Sequence, residues 1–550
     1  MLYDVLIING KIVDGTGNPW FKADIGIQNG RIVEIGRLNR QEAKKVLDVE
    51  ESYVSPGFID IHSHSDLTLP SNPSADNRVR QGITTEVGGN CGMSLSPISE
   101  RYQELLEKEY ERYGRLAREI PWNWHSFEEY LNALEEHGIA LNLAQLVGHG
   151  TLRMSVMGIE KRLPTEKELD KMKDLLAESM EAGAFGMSTG LVYPPGCYSN
   201  TEELIELCKV VAQYGGIYTS HIRGERETIV EALKEAIKIG EKAGIPVQVS
   251  HNCPKYGAWH RLNETLPLYD VARANGIEVT LDNDTHTDFG TYLWHALPQW
   301  AYEKGIKEAI TIIKNPKKRE RIKREIEEDK LPGFGPIGLL KHNRWERIVI
   351  YQCKKNTSFI GKNIKEIAKE RRASSFDTFF NLIMEEKGEI KAIFDYMNLD
   401  DIRTLLKHPL MMICSDGQVR PKEEVLSKNA SYFPCCFGEY PYVLERFVRE
   451  EKLLTLQEAI RKMTSFPAQK LGLWDRGIIR KGMWADLTIF NLERMKDKST
   501  NLYPHSYPFK NYPPDYPEGI DYVFINGEII LENGKQRDIL PGKILRKNLL

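Results

Sequence analysis

The sequence predicts an α/β fold: a (β/α)8 TIM-type barrel, a β-sandwich built from both termini, and an inserted helical lid. Three observations support this prediction. Short apolar runs alternate with amphipathic helical patterns through the middle of the chain, which is typical of βαβ units and a parallel sheet. Both ends consist of short alternating strands around tight turns, Asn-Gly and Asp-Gly at the N-terminal end and Lys-Gly and Asn-Gly at the C-terminal end. A charged helical stretch interrupts the rhythm from about residue 286 to residue 408.

The two ends of the chain carry the predicted sandwich. The N-terminal end reads YDVLIINGKIVDG and the C-terminal end reads YVFINGEIILENG. Because an isolated hairpin is marginally stable in water, the two ends are expected to pair with each other. The predicted domains are therefore a sandwich from residues 1–55 and 471–550, and a barrel from residues 56–470 that contains the insertion.

Between the ends, helices and strands follow one another closely. The segment TEKELDKMKDLLAESMEAG has a threonine cap, apolar residues at helical spacing and a terminal glycine, and it predicts a helix. The segments GIYTSHIRGE and GIPVQVSHNC predict two strands separated by one helix. Polar residues come directly after these apolar runs. In a barrel, the carboxyl ends of the strands form the functional face.

Composition restricts the classes of partner and location. The chain has 550 residues, 41% hydrophobic and 28% charged, with a formal net charge of −4. This charge gives no electrostatic reason to expect nucleic acid or an anionic membrane as a partner. The N-terminus lacks the pattern of a signal peptide, and no apolar run of about 18 residues is present. Eight cysteines in so long a chain favour reduced thiols and a cytoplasmic location.

The first candidate site is a pair of histidines after an apolar strand. His62 and His64 lie in DIHSHSD, two positions apart. Residues i and i+2 of a strand point to the same side, so both imidazoles can reach one point above the barrel. Imidazole is a good zinc ligand. His-x-His alone is a weak signal, and the preceding SPGFID strengthens it.

Four further residues follow apolar runs. Cys91 lies in the glycine-rich turn GGNCG, where a thiolate can approach a cation. His221 and His251 end successive predicted strands, so their equivalent positions are hard to ascribe to chance. Asp416 ends the run MMICSD, where an ionised carboxylate is costly to bury unless it is paired or bound to a metal. We interpret Asp416 as a ligand and a general base, although a turn aspartate is the ordinary alternative.

Together these segments resemble one known family. The chain resembles the D-aminoacylase (N-acyl-D-amino-acid deacylase) branch of the amidohydrolase superfamily. The matching segments cover nearly the whole chain and include PGFIDIHSHSD, GNCG, GAFGMSTGLVYPPG, SHIRGE and SDG. The resemblance implies a β-sandwich and TIM-type barrel, a zinc cofactor of one or two ions, and hydrolysis of N-acyl-D-amino acids or related small amides.

The resemblance also implies roles for single residues. His62 and His64 match the first metal pair, and Cys91 matches the cysteine that replaces the carboxylated lysine of other amidohydrolases. His221 and His251 match the histidines of the second metal. Asp416 matches the catalytic aspartate, so the implied metal ligands are those six residues. Tyr193, Arg223 and Lys255 lie in segments that border the substrate in the family.

Two segments depart from the family pattern. Residues 281–293 read LDNDTHTDFGTYL in place of a Tyr-Pro-Tyr-like stretch. Residues 429–443 read NASYFPCCFGEYPYV in place of a His-Pro-Arg and Gly-Thr-Phe-Pro-Arg region. In the family these regions help to hold the substrate carboxylate and acyl group. The sequence therefore says less about the identity of the substrate than about the metal chemistry.

Several alternatives stay open at this level. Relatives of the same fold hydrolyse cyclic amides or exocyclic amines, and a non-catalytic metal-binding scaffold is a remote third reading. A small-molecule amide is the expected partner, and a homo-oligomer is possible. Asp60, Asp66, His149 and Glu225 are candidates for orienting the ligands, and each is equally readable as a structural residue.

Overall fold

The computed structural model describes residues 2–110, 119–302, 305–328, 336–421, 434–499 and 516–547, and the structural statements below concern these residues. At their centre lies a barrel of parallel strands. The third strand is interrupted at one residue, and the order in space follows the order in the chain. The eight barrel strands are Phe58–Asp60, Ile83–Gly88, Asn142–Gln145 with Val147–Gly148, Gly186–Gly190, Ile217–His221, Val247–Val249, Val279–Asn283 and Met411–Ile413.

The first and eighth strands close the barrel through the segments that follow them. The backbone N–H of Asp416 donates to the carbonyl of His62 at 3.0 Å. The N–H of His64 donates to the carbonyl of Gly417 at 2.7 Å. Ser63 and Gly417 form a parallel bridge between these bonds. The same bonds that close the barrel therefore bring Asp416 to the two histidines.

Helices surround the barrel and fill the connections between strands. None of the described helices has the length and apolar character needed to cross a membrane. The helices on the barrel are Asp76–Val79, Gln103–Tyr110, Phe127–His137, His149–Met157, Glu166–Glu181, Thr201–Gln213, Ile229–Ala243, Leu262–Ala274, Leu399–Lys407, Cys435–Tyr442, Leu456–Met463 and Ser465–Leu471, with a π-helix at Val443–Glu450.

Local sequence signals explain why such helices begin and end where they do. The helix Glu166–Glu181 begins after Thr165, whose side chain accepts from the N–H of Glu168 while the Glu168 carboxylate accepts from the N–H of Thr165. This capping box satisfies two backbone donors that a helix start otherwise leaves free. Met172 and Leu176, one turn apart, are buried against the barrel.

The insertion between the seventh and eighth strands differs from the predicted helical lid. It has helices, but it also contains a three-stranded antiparallel sheet, with strands at Asp288–Tyr292, Ile348–Gln352 and Lys391–Asp395. Its helices are Ile306–Lys314, Pro316–Glu327, Ile337–Lys341, Ile364–Arg371 and Ser375–Glu385. A hydrophobic core of its own, separate from that of the barrel, holds this unit together. The insertion is therefore a small α+β unit, and the helix Leu399–Lys407 already packs on the eighth barrel strand.

Two further sheets join the ends of the chain. A four-stranded sheet has the order Arg31–Gly36, Asp24–Gln28, Tyr3–Ile8 and Ala43–Asp48. A seven-stranded sheet has the order Lys535–Gln536, Glu528–Glu532, Ile520–Ile525, Leu487–Phe490, Tyr53–Pro56, Lys11–Ile12 and Phe21–Lys22. Within it, Leu487–Phe490 pairs antiparallel with Tyr53–Pro56, and the apolar faces of both sheets share one core. The exact domain bounds stay a prediction.

A buried arginine ties the first and eighth barrel strands together below the closing bonds. Arg78 is fully buried, and its guanidinium pairs with the carboxylates of Asp60 and Glu86. Asp60 also accepts from the backbone N–H and the hydroxyl of Ser415, the residue before Asp416. Taking these charges out of water is costly, so the network holds only while each partner is present.

We predict that Arg78→Met lowers the free energy of unfolding by about 3–5 kcal/mol, because it leaves two buried carboxylates without their cation. Urea unfolding followed by circular dichroism measures this change. The control is Lys173→Met, which removes the partly exposed pair with Glu206, and it should cost less than about 1 kcal/mol. A loss for Arg78→Met as small as that expected for the control would show that the Arg78 network is dispensable.

Candidate metal centre

The residues singled out as ligands lie together at the carboxyl ends of the barrel strands. His62, His64, Cys91 and Asp416 each offer one ligand atom within 4.8 Å of the others. Cys91, His221 and His251 form a second group by the same measure. The Cys91 sulfur belongs to both groups, so the arrangement offers two adjoining cation positions that share a thiolate.

The Cys91 sulfur lies among three imidazoles. Its distances are 3.3 Å to His62 Nε2, 3.5 Å to His251 Nε2 and 3.7 Å to His221 Nδ1. Burial raises the pKa of the Cys91 thiol, but the charge of His62 and the hydrogen bonds from His221 and His251 outweigh burial and hold the pKa well below its usual range. A thiolate is the form that binds a metal.

Asp416 faces the first pair of histidines. One carboxylate oxygen lies 3.2 Å from His64 Nε2 and 3.4 Å from His62 Nε2. Burial raises the pKa of Asp416, but the hydrogen bond from His64 and the charges of His62 and His251 lower it to about 2. The carboxylate is therefore ionised at neutral pH and able to accept a proton or bind a cation.

Three of the six residues have an unusual backbone. The φ angles of Cys91, His251 and Asp416 are 54°, 33° and 49°, in the left-handed region that side chains other than glycine rarely adopt. Such a conformation costs on the order of 1–3 kcal/mol and persists where the surroundings impose it. The strained backbone of these residues therefore lies where their potential ligand atoms converge.

Two buried carboxylates lie behind the imidazoles. Asp282 Oδ1 is 3.3 Å from His62 Nδ1, on the ring edge away from Cys91. Glu225 Oε1 is 3.6 Å from His251 Nδ1 and 3.7 Å from His221 Nε2. A carboxylate in this position fixes the tautomer and ring orientation of a ligand histidine. Asp282 therefore orients the ring of His62 in the first group, and its Oδ1 also accepts from the backbone N–H of His251 at 2.8 Å. Glu225 orients both rings of the second group.

Sequence reasoning named Glu225 as a candidate and missed Asp282. The other three candidates have different surroundings. Asp60 belongs to the Arg78 network, and Asp66 accepts from Gln145 Nε2 at 3.1 Å. His149 pairs with Glu203 at 2.8 Å, outside the two groups of ligand atoms. The position of Asp282 could have indicated its role. It lies near the carboxyl end of the seventh barrel strand, just as His221 and His251 lie at the carboxyl ends of the fifth and sixth strands.

The three residues assigned to the substrate are placed differently from one another. The Tyr193 hydroxyl donates to the carbonyl of Cys91 at 2.7 Å, and its ring meets that of His221 edge-on. Lys255 Nζ donates to the carbonyl of His251 at 3.2 Å. Arg223 forms a two-pronged pair with Glu235 at 2.9 and 3.0 Å, so its guanidinium is engaged on a helix of the barrel wall.

The two segments that depart from the family pattern contact each other beside this centre. His286 Nδ1 lies 2.6 Å from a carboxylate oxygen of Glu439, and both side chains are buried. The other oxygen of Glu439 accepts from the N–H and hydroxyl of Thr285 at 2.6 Å. Residues 429–433 of the second segment lie outside the described residues. The contact joins the loop after the seventh barrel strand to the helix after the eighth.

With this geometry established, the family is identified by comparison. Residues 45–531 match the model of the amidohydrolase family. This chain belongs to the amidohydrolase family. The D-aminoacylase of Alcaligenes xylosoxydans xylosoxydans is 32% identical over 549 residues, which cover 99% of this chain and 98% of the relative. The resemblance inferred from the motifs is thereby confirmed.

Solved structures of two deacylases share the fold of this amidohydrolase over 99% of its chain. One is the N-acyl-D-glutamate deacylase of Bordetella bronchiseptica, which was solved with zinc and a phosphonate that mimics the tetrahedral intermediate. It is 30% identical to this chain, and the TM-score is 0.78 over 99% of this chain and 100% of that one. The other is a D-aminoacylase with a binuclear metal centre, which is 30% identical to this chain, with a TM-score of 0.76 and the same coverage. The predicted barrel and sandwich are confirmed.

The two supporting carboxylates give a paired prediction. Glu225→Gln should weaken Zn²⁺ binding at the Cys91–His221–His251 group about 10- to 100-fold, since neither imidazole keeps the carboxylate that orients its ring. Asp282→Asn should weaken binding at the group containing His62 instead. Competition titration with a chelating indicator measures both steps. Glu203→Gln, which alters a buried carboxylate outside the ligands, is the control. Loss of the same step in both variants would contradict the assignment.

Proposed function

We propose that this protein is a zinc-dependent hydrolase that cleaves the amide bond of N-acyl-D-amino acids or closely related small amides. The observation that carries the proposal is the convergence of four imidazoles, one thiolate and one carboxylate at the mouth of the barrel. The relatives named above, a D-aminoacylase and an N-acyl-D-glutamate deacylase, support the choice of substrate class. The composition favours the cytoplasm, and we include that location in the proposal.

The donor set fits zinc. Imidazole nitrogen, thiolate sulfur and carboxylate oxygen are the ligands that zinc takes in proteins. We propose His62, His64, Cys91 and Asp416 for one ion and Cys91, His221 and His251 for the other. When bound, zinc lowers the pKa of a coordinated water to about 7 and polarises a carbonyl group.

Asp416 supplies the proton transfers. Its carboxylate is ionised, and we propose that it accepts a proton from the water that attacks the acyl carbon. The C–N bond then breaks, and Asp416 returns this proton to the departing nitrogen. The products are a carboxylate and a free amine, so the atoms of one water are divided between them. Tyr193, Lys255 and Arg223 are proposed to border the substrate, and Tyr193 and Lys255 contact the carbonyls of two ligands.

We predict that Asp416→Asn abolishes turnover, with a loss of at least about 100-fold, because the amide cannot accept the proton. The zinc content should stay near that of the unaltered protein, since five other ligands remain. Steady-state kinetics and elemental analysis of the purified variant measure the two effects. Turnover near that of the unaltered protein would contradict the assigned role.

A substrate panel tests the reaction class. N-acetyl-D-amino acids should be hydrolysed with kcat/KM values well above those of their L enantiomers and of cyclic amides of the hydantoin type. Release of free amine, measured at equal zinc loading, gives these values. Faster hydrolysis of the cyclic amides would assign the protein to another reaction of the same fold.

A further inference from the structure

Three segments that lie far apart in the chain meet in one buried cluster at the mouth of the barrel. Thr285 and His286 come from the loop after the seventh strand, Glu439 from the helix after the eighth, and Asp497 from the segment after the strand Leu487–Phe490. None of these four side chains is more than 7% exposed. The reaction proposed above uses none of them. Since buried charges are costly, the cluster calls for another role.

We propose that Glu439 is a positioning residue for the reaction, which holds both roots of the insertion in place and thereby fixes the ammonium group of Lys255. The entry root is the segment 284–287, where the chain enters the insertion, and the exit root is the segment 396–398, where the chain leaves it. The inference rests on the proposed function, in which Lys255 borders the substrate.

Glu439 binds the entry root through both of its carboxylate oxygens. One oxygen accepts from the N–H and the hydroxyl of Thr285, each at 2.6 Å, and the other lies 2.6 Å from His286 Nδ1. The imidazole of His286 also stacks on Tyr442, with 4.6 Å between the ring centres, and its Nε2 lies 3.9 Å from Asp497 Oδ2. The entry root is therefore held from two sides.

The contact between His286 and Glu439 is a charged one. Burial lowers the pKa of His286, but Glu439 and Asp497 raise it well above its usual range. The imidazole is therefore protonated at neutral pH, and its hydrogen bond to Glu439 is assisted by charge on both sides. Such a bond is roughly twice as strong as a neutral one. Gly438 allows Asp497 to approach the helix, because a Cβ atom at this position would lie 1.8 Å from Asp497 Oδ1.

The entry root in turn holds the exit root. The carbonyl of Thr287, the residue after His286, accepts from the N–H of Tyr396 at 3.1 Å and from the N–H of Met397 at 3.0 Å. The indole N–H of Trp259 donates to the carbonyl of Tyr396 at 3.0 Å. A displacement of Thr287 would therefore displace Tyr396 and Met397 as well.

The exit root forms one side of the environment of Lys255. The ammonium nitrogen donates to the carbonyl of His251 at 3.2 Å and to the sulfur of Met397 at 3.3 Å. It also lies 5.0 Å from the centre of the Tyr396 ring. A lysine side chain is a point charge on a flexible stem, so its partners decide where the charge lies. Two of these partners belong to the exit root.

The same contacts give a role to the two segments that depart from the family pattern. In the family that the chain resembles, the regions corresponding to 281–293 and 429–443 help to hold the substrate. Here Thr285, His286 and Glu439, which belong to these segments, bind one another. Their effect on the substrate is therefore indirect, through the roots of the insertion and Lys255.

The variant Glu439→Gln tests this role, because it keeps the size of the side chain and an acceptor for Thr285 but removes the charge beside His286. For the N-acetyl-D-amino acid that the unaltered protein hydrolyses fastest, KM should rise at least about tenfold, the scale of one charge-assisted hydrogen bond. The value of kcat should fall less than about threefold, because the metal ligands and Asp416 are unchanged. Thr285→Val, which removes one donor to Glu439, should raise KM by a smaller factor.

Hydrogen exchange gives a second measurement that does not depend on turnover. Peptides that contain Tyr396 and Met397 should exchange their backbone N–H groups faster in Glu439→Gln than in the unaltered protein, as followed by mass spectrometry. The control is Glu386→Gln. Glu386 is also buried and accepts from the backbone N–H groups of Lys354 and Asn356, but within the insertion and away from its roots. This variant should change neither KM nor the exchange of these peptides.

The outcomes separate this inference from the proposed function. Unchanged KM and unchanged exchange in Glu439→Gln, with the substrate still hydrolysed, would overturn the positioning role and leave the proposed function standing. A fall in kcat without a rise in KM would also overturn the positioning role, since Lys255 would then not be the group affected. Failure of the unaltered, zinc-loaded protein to hydrolyse any N-acyl-D-amino acid would overturn both.

Discussion

The gathering of imidazole nitrogens around one sulfur is the constraint on which this molecule depends. Lone pairs that point at a common centre repel one another unless a cation or protons lie between them. Charge balances within the cluster: the neighbouring imidazoles hold the pKa of Cys91 well below its usual range, and although burial lowers the pKa of His62 and His64, their anionic partners raise it well above its usual range. Metal binding displaces such protons and takes over their electrostatic role.

The rest of the barrel holds these side chains together against their mutual repulsion. The segments after the first and the eighth strands are some 350 residues apart in the chain, yet backbone hydrogen bonds and the Arg78–Asp60 network join them directly. Asp282 and Glu225 then orient the rings from behind. The left-handed φ angles of Cys91, His251 and Asp416 show that this frame imposes strained conformations on residues of the candidate metal centre.

Features of the site that depend on neighbouring residues in the chain could be predicted from the sequence. Features that depend on contacts between distant residues could not. His62 and His64 were predictable because a period of two on a strand is a local property. His221 and His251 were predictable because equivalent positions in successive units repeat. Arg78 carries no such signal, since a lone arginine in a polar stretch is typical of a surface. Its burial depends on two carboxylates from different strands.

The insertion shows the same limit. Its charged helix Pro316–Glu327 was evident from composition, whereas its antiparallel sheet was not. Gly290 pairs with Ile393 across about a hundred residues, and nothing near either residue indicates the partner. The pair of His286 and Glu439 is likewise separated by 153 positions, so the structural link between the two divergent segments emerges only from the fold.

The pairing of Tyr53–Pro56 with Leu487–Phe490 has a consequence for biosynthesis. A ribosome delivers the first of these strands long before the second, and at about 5–20 residues per second the delay is on the order of a minute. During that interval the nascent chain holds an unfinished sheet edge, which is a template for mispairing. The sheet therefore reaches its final topology only after Leu487–Phe490 has been synthesised and has covered this edge.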